Sequence, residues 1–237
     1  MKELSIVANK YSTDKGTERF FGNSPDESAL YGSFCHHGYT EFYDYYFSKY
    51  KTSHPVILEI GVGEGGSTKM FNDYYNGNCE IYCLDINPDA RVVEFIGNNI
   101  HFFECNQSDS DSLRGFADFL NINNIQFDII IDDGNHVPDD MMLTFNYFYK
   151  YVKPEGLYIL EDLHTIYDPR YNSDTNSKEH SPISFFTEFT DFHIFDKYTN
   201  DKLHNAVKSS ILFTNKNLCR SENDDLLGMT MLILFES

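Results

Sequence analysis

Five short apolar runs set the frame of this chain: VILEI (56–60), EIYCLDI (80–86), IHFFEC (100–105), FDIIIDD (127–133) and GLYILED (156–162). Each is too short for a buried helix and too continuously apolar for a strand with one wet face. Between them lie stretches with helical spacing, over 66–75, 89–98, 109–121 and 138–151, the last opened by Pro138, a favoured first helical residue. Strands buried on both faces and alternating with helices build an open, mostly parallel sheet. Two later runs, SSILFT (209–214) and MTMLILFE (229–236), are separated by charged, loop-like sequence and suit an antiparallel hairpin on the sheet edge. The expected fold is therefore α/β, Rossmann-like and doubly wound, with a C-terminal antiparallel hairpin.

The flanking regions read differently. Residues 1–50 are aromatic and polar, and from Thr40 onward the spacing predicts a helix with one aromatic face, a candidate dimer surface unless its own domain buries it. Residues 165–182 are polar and turn-rich, too long for an ordinary connection, and a helix is expected over 182–198. Lys and Arg number 18 against 37 Asp and Glu, a formal charge of -19. That field repels phosphate backbones and anionic lipid heads, so neither a nucleic-acid nor a membrane-surface partner is expected. No apolar run reaches the roughly 18–20 residues of a spanning helix, and the first residues lack a signal-peptide pattern, so a cytoplasmic protein is expected. The five cysteines are scattered and read as small buried hydrophobes.

Chemistry concentrates at the ends of the strand runs. After the first comes E-I-G-V-G-E-G-G (59–66), in which Gly61, Gly63 and Gly66 fit the G-x-G-x-x-G pattern between a strand and a helix. Glycines there let the backbone turn tightly and approach a ligand. Asp85 ends the second strand, placed to accept from two ribose hydroxyls. Asn106 and Gln107 follow the third, on the edge where such sheets bind ligands, and suit an adenine ring; a helix cap at Ser108 or Asp109 is the competing reading. Two cofactors use this geometry, a nicotinamide dinucleotide and S-adenosylmethionine. Glu59, two residues before the first glycine, discriminates: its carboxylate repels a pyrophosphate and tolerates a sulfonium and an ammonium.

The fourth and fifth strand ends carry Asp132, Asp133 and His136, then Glu161, Asp162 and His164. Neighbouring parallel strands end on the same edge, so Asp133 and Asp162 are able to converge on one hard cation, and carboxylate oxygens suit Mg2+. His136, three residues past Asp133, is within reach of a substrate hydroxyl held by that cation.

These stretches carry a resemblance. LEIGVGEGGST and YCLDINP resemble the first two motifs of the class I methyltransferases, and D-D-G-N-H followed by E-D-L-H-T resembles the metal-dependent sugar O-methyltransferases of the macrocin and mycinamicin type. YSTDKG (11–16) and HGYTEFYDYYF (37–47) are similar to that family's N-terminal segment. Asn135 stands where the family more often has Ser. The resemblance implies that Asp133 and Asp162 are metal ligands and His136 the general base; spacing alone makes this possible without showing it. It also implies a single domain, with residues 1–50 as an N-terminal helical segment covering the site and 51–237 as the Rossmann-like methyltransferase domain. S-adenosyl-L-methionine contacts are expected from Glu59, Gly61, Gly63, Asp85, Asn106, Gln107 and Asp132. The implied activity is methylation of a sugar hydroxyl, nucleotide-linked or in a glycoside, assisted by Mg2+ or another divalent cation. Two rival readings stay open: an NAD(P)-dependent oxidoreductase using the same glycines, and a non-catalytic cofactor-binding module.

Overall fold

The apolar runs pair as their texture predicts. In a computed structural model, described over residues 3–11, 13–16, 37–86, 97–168, 171, 181–192, 206–216 and 227–236, they form one seven-stranded sheet. Its strands are β1 (Val56–Ile60), β2 (Glu80–Asp85), β3 (Ile100–Glu104), β4 (Phe127–Asp132), β5 (Val152–Leu160), β6 (Val207–Lys216) and β7 (Leu227–Phe235). The order is β3-β2-β1-β4-β5-β7-β6. The first five strands are parallel, β7 runs antiparallel to β5, and β6 pairs antiparallel with β7. The chain winds outward from β1 to β3, then restarts on the other side at β4. The carboxyl ends of β1 and β4 therefore flank the switch point, where open α/β sheets hold their ligands.

Helices α1 (Glu3–Tyr11), α2 (Thr40–Phe47), α3 (Gly66–Tyr74), α4 (Ser110–Asn123), α5 (Pro138–Phe148) and α6 (Pro182–Phe192) cover the sheet. Alternation along the strands decides which side each residue serves. Ile57, Ile129, Ile131, Leu157 and Ile159 pack with Leu4 and Ala8 of α1, Tyr43 and Phe47 of α2, and Met70, Phe71 and Tyr74 of α3. Leu58, Ile60, Ile130, Tyr158 and Leu160 pack with Leu113, Phe116 and Leu120 of α4 and with Phe145 and Phe148 of α5. The aromatic face of α2 thus closes its own domain's core; of that helix's aromatic residues only Tyr45, 73% accessible, projects fully. The dimer surface expected there is largely used internally.

Helix ends follow local chemistry. Asp109, in extended conformation, caps α4 by accepting from the Asp111 N–H at 3.0 Å, and Asn124 closes it in the left-handed conformation at φ 52°. Expected boundaries shift modestly: the helix from 138 ends at Phe148 and continues as a 3-10 turn, Tyr149–Tyr151. The helix expected over 89–98 lies mostly outside the described residues. Cys79, Cys83 and Cys105 are free and buried, as expected of small hydrophobes. Among the described residues no helix is long and apolar enough to cross a membrane.

Candidate active site

Backbone pairing past the strand ends builds the site. Ile60 pairs with Asp132, and Asp132 with Leu160. The next residues stay zipped: Gly61 N donates to Leu84 O at 2.8 Å, Asp133 N to Ile60 O at 2.8 Å and Glu161 N to Asp132 O at 3.0 Å. Gly61, Asp133 and Glu161 therefore sit at one level on one edge.

The glycine turn lies over the first of these positions. Gly61 has φ +83°, and a Cβ there would stand 2.0 Å from the Asp133 carbonyl oxygen, so this position admits only glycine. Gly63 also has positive φ, +52°, but a Cβ there would meet nothing within 4 Å, so the turn faces open space. Asp85 closes it from the side: one carboxylate oxygen accepts from the N–H groups of Val62 at 2.8 Å and Gly63 at 2.9 Å. Glu59 lies beneath, 0% accessible, with its two oxygens accepting from the hydroxyls of Ser67 and Thr68 in the first turn of α3. Burial pushes its pKa up to about 7 despite those two hydroxyls. In this structure Glu59 ties β1 to α3 and does not line the open side of the turn.

The stretch after β3 splits between ligand edge and scaffold. Asn106 accepts from the Ser108 N–H at 3.0 Å through its side chain and remains half-buried. Gln107 is buried; its amide donates to Asp132 at 2.7 Å and accepts from the Asn135 N–H at 2.9 Å. Asp132 is fully buried, and desolvation lifts its pKa to about 7 although the Gln107 amide and the Gly134 N–H oppose the rise. Both of these residues, expected to face the cofactor, are engaged under the edge, bracing the loop that follows β4.

That loop and the one after β5 bring the remaining expected residues together. Asp133, His136 and Asp162 each offer one ligand atom, all within 4.8 Å of one another. His136 Nε2 stands 3.7 Å from Asp162. His136 and Asp162 are both left-handed, at φ 59° and 53°. Side chains with a Cβ adopt that conformation at a cost, and such costs concentrate at functional sites. The Thr165 hydroxyl helps to hold both loops, 3.0 Å from the His136 carbonyl and 2.8 Å from that of Asp162.

Several participants were not legible as site residues. Lys15 is 1% accessible and donates to Asp133 and, at 2.5 Å, to Glu161. Tyr43 donates its hydroxyl to the other Glu161 oxygen, and Tyr39 donates to Asp162 at 2.6 Å. His37 stands 3.6 Å from Asp162, and its ring lies against that of His164, with centroids 6.0 Å apart. Burial pushes the Asp162 pKa up, but His37, His136 and the Tyr39 hydroxyl outweigh it and hold the carboxyl at about 2. Burial lowers the pKa of His164. The signals for them are the T-D-K-G stretch (13–16), similar to a known N-terminal segment, and His36-His37 before Gly38-Tyr39, which reads equally as an exposed loop or as a pair near the site.

Known proteins resemble this chain in sequence and in fold. Residues 58–163 match the family described as a methyltransferase domain. The chain is 30% identical over 162 residues to the 8-demethyl-8-alpha-L-rhamnosyl tetracenomycin-C 2'-O-methyltransferase of Streptomyces olivaceus, covering 65% of this chain and 41% of that protein. It is 32% identical over 155 residues to the mycinamicin VI 2''-O-methyltransferase of Micromonospora griseorubida, covering 62% and 37%. The chain thus spans about two fifths of the length of these curated relatives. The MycE methyltransferase of the mycinamycin biosynthetic pathway, solved in complex with Mg and SAH, superposes with a TM-score of 0.69 at 22% identity, over 99% of this chain and 55% of that one. The chain has the class I methyltransferase fold, matches the methyltransferase-domain family over residues 58–163, and is similar to the sugar O-methyltransferases of the macrocin and mycinamicin type.

Proposed function

We propose that the chain transfers the methyl group of S-adenosyl-L-methionine to a hydroxyl of a sugar, in a glycoside or nucleotide-linked, with a divalent cation held by Asp133 and Asp162 and with His136 as general base. The observation that carries this reading is the convergence of Asp133, His136 and Asp162 beside a glycine turn that faces open space. The donor set fits a hard cation: two carboxylates, with Asp162 strongly ionised. Held by Asp133 and Asp162, Mg2+ would supply Lewis acidity to an acceptor hydroxyl. The relatives' names, which specify 2'- and 2''-O-methylation, and a fold neighbour solved with Mg and SAH support the same assignment.

The chain's own residues do the rest. Gly61 and Gly63 admit the cofactor close to the backbone, Asp85 accepts from its ribose, and Asn106 lies on the adenine side. Glu59, Gln107 and Asp132 shape this pocket from beneath. In the transfer, the sulfur–methyl bond breaks as the oxygen–methyl bond forms, leaving S-adenosylhomocysteine. The hydroxyl proton passes to Nε2 of His136, whose neutral ring then carries its own proton on Nδ1. The imidazolium so formed is stabilised by Asp162 at 3.7 Å. Tyr39 and His37 hold that carboxylate in place. Alignment of oxygen, methyl and sulfur is the main contribution the protein has to make.

The test is turnover of S-adenosylmethionine with a panel of rhamnosides and other deoxysugar glycosides, reading S-adenosylhomocysteine. EDTA should abolish turnover and Mg2+ restore it. His136→Ala should lower kcat roughly 10²-fold or more while S-adenosylhomocysteine affinity holds. Full turnover without divalent metal, or near-normal kcat in His136→Ala, would reject the metal or the base. Stabilisation by NAD(P) and not by S-adenosylhomocysteine would reject the cofactor.

A further inference from the structure

Asn135 stands directly before His136, and both ends of its side-chain amide are engaged. Its Oδ1 accepts from the Val137 N–H at 3.0 Å, which closes an Asx turn with His136 at the centre. Its Nδ2 carries two hydrogens and meets two acceptors, Ser108 Oγ at 3.1 Å and Asp140 Oδ2 at 2.6 Å. Ser108 Oγ donates to the same Asp140 oxygen at 2.6 Å. Asp140 lies in the first turn of α5, and Ser108 in the loop between β3 and α4. Three segments thus meet on one exposed side chain: that loop, the His136 turn and the start of α5.

We infer that Asn135 is a positioning residue for His136, tying the turn around the base to the β3–α4 loop and to α5. The inference rests on reading His136 as the general base. Chemistry fixes the orientation of the amide: inverted, it would set its oxygen against the Asp140 carboxylate and its NH2 against the Val137 N–H. The turn also needs holding. His136 is left-handed at φ 59°, a conformation that a residue with a side chain keeps only where its surroundings impose it. Asn135 Oδ1 spans His136 on one side, and Thr165 Oγ1 donates to the His136 carbonyl at 3.0 Å on the other. The anchor is firm, because Asp140 is part of a helix and a carboxylate makes a charge-assisted acceptor.

The experiment measures kcat on a glycoside acceptor, S-adenosylhomocysteine affinity by calorimetry, and amide hydrogen exchange over residues 134–137. Asn135→Ser keeps an oxygen able to close the turn, but its single hydroxyl hydrogen on a shorter stem does not replace the amide's two bonds. It should lower kcat by roughly tenfold or more and speed exchange, with cofactor affinity and melting temperature unchanged. In a His136→Ala background the same change should lower kcat no further, because it acts through that ring. Asn135→Asp sets two carboxylates together and should lose as much as Asn135→Ser. Adding Asp140→Asn exchanges donor and acceptor across the pair and should restore both kcat and exchange. The inference is overturned by near-normal kcat in Asn135→Ser, by an equal loss in the His136→Ala background, by a double variant no better than Asn135→Asp, or by a loss that follows the melting temperature. Should wild type turn over no acceptor, the base reading fails, and exchange alone decides whether Asn135 holds the His136 turn: restoration in the double variant upholds it, and unchanged exchange in Asn135→Ser rejects it.

Discussion

Replacing Gly61 by alanine probes the join between the glycine turn and the acid cluster. At φ +83° a side chain costs roughly 1–2 kcal/mol from backbone strain alone. The new methyl would also stand 2.0 Å from the Asp133 carbonyl oxygen, 2.5 Å from its carbon and 2.7 Å from Gly134 Cα. These are backbone atoms, and Asp133 is pinned to β1 through its 2.8 Å hydrogen bond to Ile60 O. No side chain can rotate away, so β1 and β4 must separate at their ends, an overpacking cost of about 1–3 kcal/mol. The expected loss is roughly 2–5 kcal/mol, a large part of the ~5–15 kcal/mol of an ordinary domain. Gly63→Ala is the control: its φ of +52° brings strain, but nothing lies within 4 Å of the methyl, so a loss of only about 1–2 kcal/mol is expected. Urea unfolding of both variants gives the comparison. Mn2+ affinity should fall with Gly61→Ala and hold with Gly63→Ala. Equal losses for the two variants would refute the reasoning.

Two other sites give independent readings. Glu59 has its pKa raised from 4.5 to about 7, so the stability linked to its protonation is fully present below about pH 4.5 and is lost as pH rises through about 7. That rise corresponds to about 3 kcal/mol, and Glu59→Gln should remove this component, so that urea unfolding from pH 5 to 8 shows a smaller decline than in wild type; parallel curves would contradict it. Asp85→Ala removes the acceptor of the Val62 and Gly63 N–H groups and should weaken S-adenosylhomocysteine binding by tenfold or more at unchanged fold, with calorimetry as the check.

The parallel strands were legible because a strand buried on both faces leaves no polar alternation, and an acid or glycine then marks its end. The same property made Asp133, Asp162 and His136 recognisable as neighbours, since register in a parallel sheet follows from strand ends alone. Strand β5 shows where local signals mislead. It begins at Val152, yet Lys153-Pro154-Glu155 reads as a turn, and the expected start was 156. The strand tolerates Pro154 there: pairing with β4 shifts register between Phe127 and Ile129, and Glu155 is left-handed at φ 60°. Helix α1 falls within the segment expected to be helical, but its bounds are not legible because its buried positions are few, Leu4, Ser5 and Ala8. For Lys15 the likeness of T-D-K-G to a known segment is a signal that names no partner, since its partners lie 118 and 146 residues away. Glu59 was legible as an acid at the turn, but not as one facing α3: strand alternation puts it on the face of Ile57, and only the position of Ser67 and Thr68 above that face decides what it meets.

The spacing between methyl donor and acceptor in the proposed reaction is set by backbone, and this explains why glycines mark both sides of the join. Gly61 rests on the Asp133 carbonyl, and a Cβ at Gly134 would stand 2.1 Å from the Gln107 amide oxygen. That amide cannot yield freely, because it also holds Asp132 and the Asn135 N–H. The turn over the cofactor space, the loop carrying His136 and the scaffold after β3 are therefore in direct contact, with no flexible side chain able to take up slack. On the other side the acids are fixed by Lys15, Tyr39 and Tyr43, whose backbone segments are themselves joined by the Thr40–Lys15 hydrogen bond. A displacement of about 1 Å in such a site costs on the order of 10²-fold in rate. In the proposed reaction Gly134 and Gln107 are thus placed to control turnover through distance.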